Sequence, residues 1–242
     1  MSSVRRPLVD AVRHVLAGAS DPERAAGQQR YMKSAMPFRG VRLPQVRSLV
    51  GEVLADPAYR IPSRAQWEAA VRTLWDEAAY REEWYAATIL IGHRLYRDWQ
   101  DAATLALHAE LIVAGAWWDV VDELAAHHVG EILRTHRSTA TPVIRGWATV
   151  DDMWLRRAAI ISQLLHCADT DLALLAEAIE ANLETDASGV PTAYGREFFI
   201  RKAIGWALRQ HARTNPQWVR DFVAGHEERI SGLSKREALK HL

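Results

Sequence analysis

WLRRAAI at residues 154–160 and FIRKAIG at residues 199–205 match in register: an aromatic, an aliphatic, an arginine, a second basic residue, an alanine. They lie 45 residues apart, and EWYAATIL at 83–90 is a looser echo. Each segment has the three-and-four spacing of a helix with one apolar face. A period of this length is the signature of stacked helical units, each too small to bury its own apolar face and completed by its neighbours.

Outward from these segments, helical periodicity continues through the chain, near 7–18, 22–36, 44–55, 64–76, 79–94, 99–114, 116–134, 140–148, 152–167, 170–183, 196–213, 216–224 and 234–241. Start signals support several of them. Asp21-Pro22, Leu43-Pro44 and Asn215-Pro216 put proline at a first helical position, and Asp151-Asp152 can cap the helix that follows. Strand signals are nearly absent, with no sustained period-two alternation and no Asn-Gly or Asp-Gly hairpin turn. The expected fold is all-α, a superhelical array of antiparallel helix pairs of the HEAT-like or ARM-like kind with a concave face, in one domain over 1–242; a bundle of unrelated helices is the alternative. TDASGVPTAYGRE at 185–197 stands apart as a polar loop, either a functional insertion or a disordered one.

Composition narrows the classes. With 49% hydrophobic and 25% charged residues, the 242-residue chain has the make-up of a globular protein. Its longest apolar run, LIVAGAWW at 111–118, is too short for a membrane span. Asp10, Arg13 and His14 interrupt any apolar core in the first sixteen residues, so neither a secretory leader nor a transit peptide is expected, and a cytoplasmic location is. A single cysteine, Cys167, excludes an internal disulfide and a cysteine-built zinc site. Net charge is zero, yet it is segregated: Lys and Arg outnumber Asp and Glu 10 to 5 in residues 1–60 and again in 196–242, while 151–195 holds 2 against 8. Two basic ends flank an acidic middle, which would serve a polyanionic partner if the ends converged and is otherwise ordinary surface variation.

Three helices carry residues out of pattern. In AWWDVVDELAAHHVG (116–130) the apolar stripe is Trp117, Val120, Val121 and Leu124, and Trp118 lies outside it with Asp122 one turn later. Either Trp118 covers the edge of the stripe above solvated acids, or the two form an outward pair. In FFIRKAIGWALRQHAR (198–213) Trp206 shares a face with Lys202, Arg209 and Arg213. That is stacking beneath an arginine, or a surface offering cations to phosphate and a flat ring to a base or sugar. In MWLRRAAIISQLL (153–165) Arg157 falls among Met153, Ile160, Ile161 and Leu164. Such an arginine requires an anion: an aspartate on an adjacent helix, such as Asp122, or a phosphate. Other chemistries find no support, since GxGxxG, GxxxxGK[ST] and HExxH are missing and the adjacent His127 and His128 diverge on a helix. No cofactor and no metal are expected.

RYMKSAMPFRGVRLPQVRSL at 30–49, AWWDVVDEL at 116–124, DMWLRRAAI at 152–160, FFIRKAIGWALRQHARTNPQWV at 198–219 and LSKREALKHL at 233–242 resemble, in order, the segments of the AlkD-like DNA alkylation repair family. The resemblance implies a HEAT-like monofunctional DNA glycosylase that excises N3- or N7-alkylated purines from double-stranded DNA. It puts Trp118 and Asp122 at catalytic positions and Trp206 at the other aromatic wall. It puts Arg157 at a position that holds the DNA backbone, and Tyr31 at a further DNA contact. Lys33, Arg39, Arg42, Arg47, Arg201, Lys202, Arg209, Lys235 and Arg236 are the basic candidates for phosphate, with plain surface solubility as the alternative for each.

The chemistry suits these side chains. An alkylated purine is already cationic and leaves without protonation, so what needs stabilising is the oxocarbenium-like sugar, by a carboxylate near C1′ and by indole faces. The resemblance further implies a monomer that cradles the duplex in its concave face and acts without flipping the base, unlike most glycosylases. A non-catalytic nucleic-acid or protein scaffold, and a self-resistance enzyme for a bulky natural-product adduct, remain alternatives.

Overall fold

The computed structural model describes residues 5–242; residues 1–4, part of the segment weighed above as a leader, lie outside the described residues. Among the described residues the fold is all-α, as expected, and the one β-type contact is an isolated antiparallel bridge between Thr185 and Pro191. No helix among the described residues is long and apolar enough to cross a membrane. The chain divides into two compact units, one ending at Trp99 and one running from Gln100 to Leu242.

The first unit holds α1 (Arg5–Gly18), α2 (Pro22–Met32), α3 (Leu43–Ala55), α4 (Arg64–Asp76) and α5 (Arg81–Ile91). The anticipated start signals operate: the Asp21 side chain accepts from Arg24 N ahead of Pro22. The α2 helix ends at Met32 rather than at 36 because Lys33 turns left-handed (φ 50°) and its N–H closes the last turn. Helices α1, α3, α4 and α5 pack together over a core that includes Leu8, Leu16, Val46, Trp67 and Ile91, all fully buried. Glu82 and Glu83 are buried on α5. Glu82 accepts from the backbone N–H groups of Arg39, Gly40 and Val41 at 2.9–3.1 Å and so fixes the α2–α3 loop. Gly40 is required there: its φ is +87°, and a Cβ would fall 2.0 Å from the Asp21 carbonyl oxygen.

The second unit holds α6 (Leu105–Gly115), α7 (Trp118–Glu123), α8 (Gly130–Thr135), α9 (Arg137–Trp147), α10 (Met153–Ile161), α11 (Leu172–Glu180), α12 (Phe198–His211), α13 (Pro216–Gly225) and α14 (Gly232–Ala238). The Asp152 and Asn215 side chains cap α10 and α13 as anticipated. The segments that carry the sequence repeat, α10 and α12, pack directly on one another. One departure shapes the unit. The run expected to be a single helix over 116–134 starts at Trp118, because Ala116 adopts a left-handed conformation (φ 38°), and it widens into a π-helical stretch, Leu124–Val129, between α7 and α8. The 185–197 loop is ordered: the Asp186 carboxylate accepts from Ser188 N and Val190 N, and Tyr194 Oη donates to Asp151.

Candidate active site

The left-handed turn at Ala116 leaves Trp117 extended at the N-cap of α7, where its ring packs 6.1 Å from Trp154 and edge-on, 5.4 Å away, against Phe199. The core stripe of α7 is Val120, Val121 and Leu124, all fully buried. Trp118 opens the helix and Asp122 follows one turn later on the same face, turned away from that stripe. Aromatic packing at Trp117 and aliphatic packing at Val120 and Val121 together fix the direction in which Trp118 and Asp122 project.

Arg157 joins three helices at this point. From α10 it donates Nε and Nη2 to the two oxygens of Asp122 at 2.8 and 2.7 Å, and Nη1 to the carbonyl of Phe199, the second residue of α12, at 2.6 Å. Only 4% of Arg157 is exposed. Of the two readings open for this arginine, the structure has the ion pair with Asp122, and these contacts use three of the five guanidinium N–H donors. The physical reason is its apolar surroundings, which demand a fixed counter-charge. A bidentate guanidinium–carboxylate pair is also the strongest such contact available, and it sets the carboxylate plane. Burial pushes the Asp122 carboxyl above its ordinary range; Arg157 opposes this through its hydrogen bonds and charge, and the Asp119 carboxylate adds to the rise.

The Asp122 carboxylate opens on a cleft of about 310 Å³ within the second unit. Trp118, Asp119, Asp122 and Glu123 line it from α7, His127 from the π-helical stretch, Trp206 and Gln210 from α12, and Leu164 and Leu165 from the turn after α10. The residues singled out by helical face therefore meet: Trp118, Asp122 and Trp206 share one cavity, and Arg157 pairs with the central carboxylate. Three carboxylic acids and two indoles line this space, with no lysine or arginine among its lining residues. Such a cleft suits a ligand that carries, or develops, positive charge.

The family model for DNA alkylation repair enzyme matches residues 12–242. The chain belongs to the DNA alkylation repair enzyme family. A solved structure described as a predicted DNA alkylation repair enzyme from Enterococcus faecalis is similar over 92% of this chain and 96% of that one, at 30% identity and a TM-score of 0.76. No curated protein matches.

In this member of the DNA alkylation repair enzyme family the cationic candidates fall into distinct settings. Lys202 and Arg209, one turn either side of Trp206, both pair with the Glu237 carboxylate, Lys202 at 3.1 Å. Lys235 pairs with Glu227, Arg201 is half-buried and Arg236 is exposed. In the first unit Tyr31, Lys33, Arg42 and Arg47 are exposed. Arg39 instead turns inward, stacking over Tyr80 at 3.9 Å and facing Glu83 at 3.6 Å, so the fold itself accounts for its charge.

Three polar lining residues are not singled out by the sequence alone. His127 is five residues beyond Asp122, a spacing that faces away on an α-helix and is brought round by the π-helical stretch. His128 does diverge from it, packing 6.2 Å from His108 in the interior, where burial lowers both imidazoles, to about 3 and about 4. Gln210 lies one turn from Trp206 and was legible by the same face argument that found the tryptophan. Glu123 adjoins Asp122, and only the fold separates it from an ordinary solvated acid.

Proposed function

We propose that this protein is a monofunctional DNA glycosylase that hydrolyses the N-glycosidic bond of cationic N7- or N3-alkylated purines in duplex DNA. The observation that carries the reading is the Asp122 carboxylate, gripped from one side by Arg157 and opening on a cleft that Trp118 and Trp206 also line. As the C1′–N bond breaks, its electron pair neutralises the leaving purine and positive charge moves to the sugar. A carboxylate already oriented at C1′ stabilises that charge without reorganising, a contribution of roughly 3–4 kcal/mol for one such preorganised group. The indole faces attract the cation through their π quadrupoles. Water then adds to C1′ and releases its proton to Asp122 and from there to solvent, leaving an abasic sugar and a neutral alkylpurine.

In this mechanism Arg157 is a positioning residue: it keeps Asp122 ionised and its plane fixed. Two further carboxylates, Asp119 and Glu123, line the cleft beside Asp122, and this concentration of negative charge favours a nucleotide met at its cationic sugar over a base flipped and enclosed.

The test is incubation of the purified protein with methylated duplex DNA. Release of 7-methylguanine is the expected result. Absence of release, alongside tight salt-sensitive binding, would make the protein a nucleic-acid scaffold instead.

A further inference from the structure

The two cations beside Trp206 share a single anion. Glu237, on α14, accepts from Lys202 Nζ at 3.1 Å through Oε1 and from Arg209 Nη1 through Oε2. The three side chains are partly buried, at 39%, 25% and 22% exposure for Lys202, Arg209 and Glu237. These contacts hold Glu237 below the usual carboxylate range, the Lys202 hydrogen bond contributing most, so it stays ionised wherever the protein meets DNA. Packing delivers the carboxylate to this spot. At Gly205, midway between the cations, a Cβ would come within 2.5 Å of the Glu237 Cβ and 3.1 Å of the Ser234 carbonyl oxygen, so the glycine lets α14 lie directly on α12. Ser234 Oγ fastens the same contact by donating to the Arg201 carbonyl at 2.9 Å.

We propose that Glu237 is an internal stand-in for phosphate, which neutralises Lys202 and Arg209 beside the cleft and holds down affinity for undamaged duplex. The inference rests on the reading of duplex DNA as the partner. Two cations and one carboxylate leave one net positive charge where the sequence alone shows two. A backbone phosphate that engages Lys202 or Arg209 must displace Glu237, and the displaced carboxylate then repels the duplex. Binding through these residues is therefore weaker, and releases fewer counterions, than their number implies.

Glu237→Gln tests this, because the amide keeps the shape of the side chain against Gly205 and removes only the charge. Affinity for an undamaged duplex is measured across salt concentrations for wild type, Glu237→Gln and Glu237→Asp, with a thermal melt of each. The expected result is that Glu237→Gln binds several-fold tighter at low salt. The dependence of log affinity on log salt should steepen by about 0.9 for each phosphate newly engaged, while Glu237→Asp keeps the wild-type slope. An unchanged slope in a folded Glu237→Gln protein, or weaker binding, overturns the inference and leaves Glu237 a structural tie; either result leaves the glycosylase reading standing. If wild type itself shows no salt-dependent duplex binding, DNA is not the partner and both readings fall.

Discussion

The two halves of the sequence repeat put a cation at the same place and use it in opposite ways. In α10 the second basic position is Arg157, paired with a carboxylate 35 residues earlier; in α12 it is Lys202, paired with a carboxylate 35 residues later. Arg157 is buried, bidentate and tied also to the backbone of α12, so Asp122 is held in one orientation in the wall of the cleft. Lys202 is a half-exposed ammonium that shares Glu237 with Arg209. Planarity and burial make the difference. A guanidinium fork orients a carboxylate, whereas an ammonium on a flexible stem neutralises it. The same repeat position thus aims an anion in α10 and is itself neutralised by one in α12.

Breaking the buried pair should have the largest effect. Arg157→Ala leaves the Asp122 carboxylate with burial and no partner, and is expected to cost about 3 kcal/mol of stability, the lower end for a severed buried pair because Asp122 reaches solvent through the cleft. Denaturant unfolding measures this. Next comes the wall of the cleft: Trp206→Leu keeps apolar bulk but loses the π face, and single-turnover release of 7-methylguanine should fall roughly tenfold, about 1.4 kcal/mol and between the exposed and desolvated values of a cation–π contact. Removing the exposed partner should matter least for folding. Lys202→Ala is expected to change stability by no more than about 1 kcal/mol, and a loss comparable with that of Arg157→Ala would erase the contrast between the two pairs.

The same contrast predicts a pH effect. Asp122 works as a carboxylate, burial raises its pKa, and Arg157 lowers it. Activity should therefore be lost as pH falls through a value above the ordinary carboxylate range. In Arg157→Gln, with the opposing charge gone, the acid limb of the pH–rate profile should move to still higher pH. A limb that stays in place would mean that Arg157 does not set the protonation of Asp122.

Much of this was legible in the sequence where the physics is local. Proline and aspartate signals place the starts of α2, α10 and α13, and three-and-four spacing separates Trp118, Asp122 and Trp206 from the core stripes. What local reasoning misses depends on long-range packing or irregular backbone. The partner of Arg157 stays open until α7, α10 and α12 are assembled, and Glu237 looks like a surface acid until Gly205 brings α14 down on α12. His127 is hidden because residues five apart share a face only on a π-helical turn, which no local pattern around 124–129 announces. Arg39 reads as a surface cation because its counter-charge, Glu83, is 44 residues away on α5.

If the Asp122 carboxylate acts on the sugar, removing its charge slows the chemistry and spares binding. Asp122→Asn preserves size and can still accept from Arg157, so release of 7-methylguanine and affinity for the methylated duplex can be measured on one folded preparation. Release is expected to slow by about 100- to 1,000-fold with affinity retained. Release at the wild-type rate would contradict it.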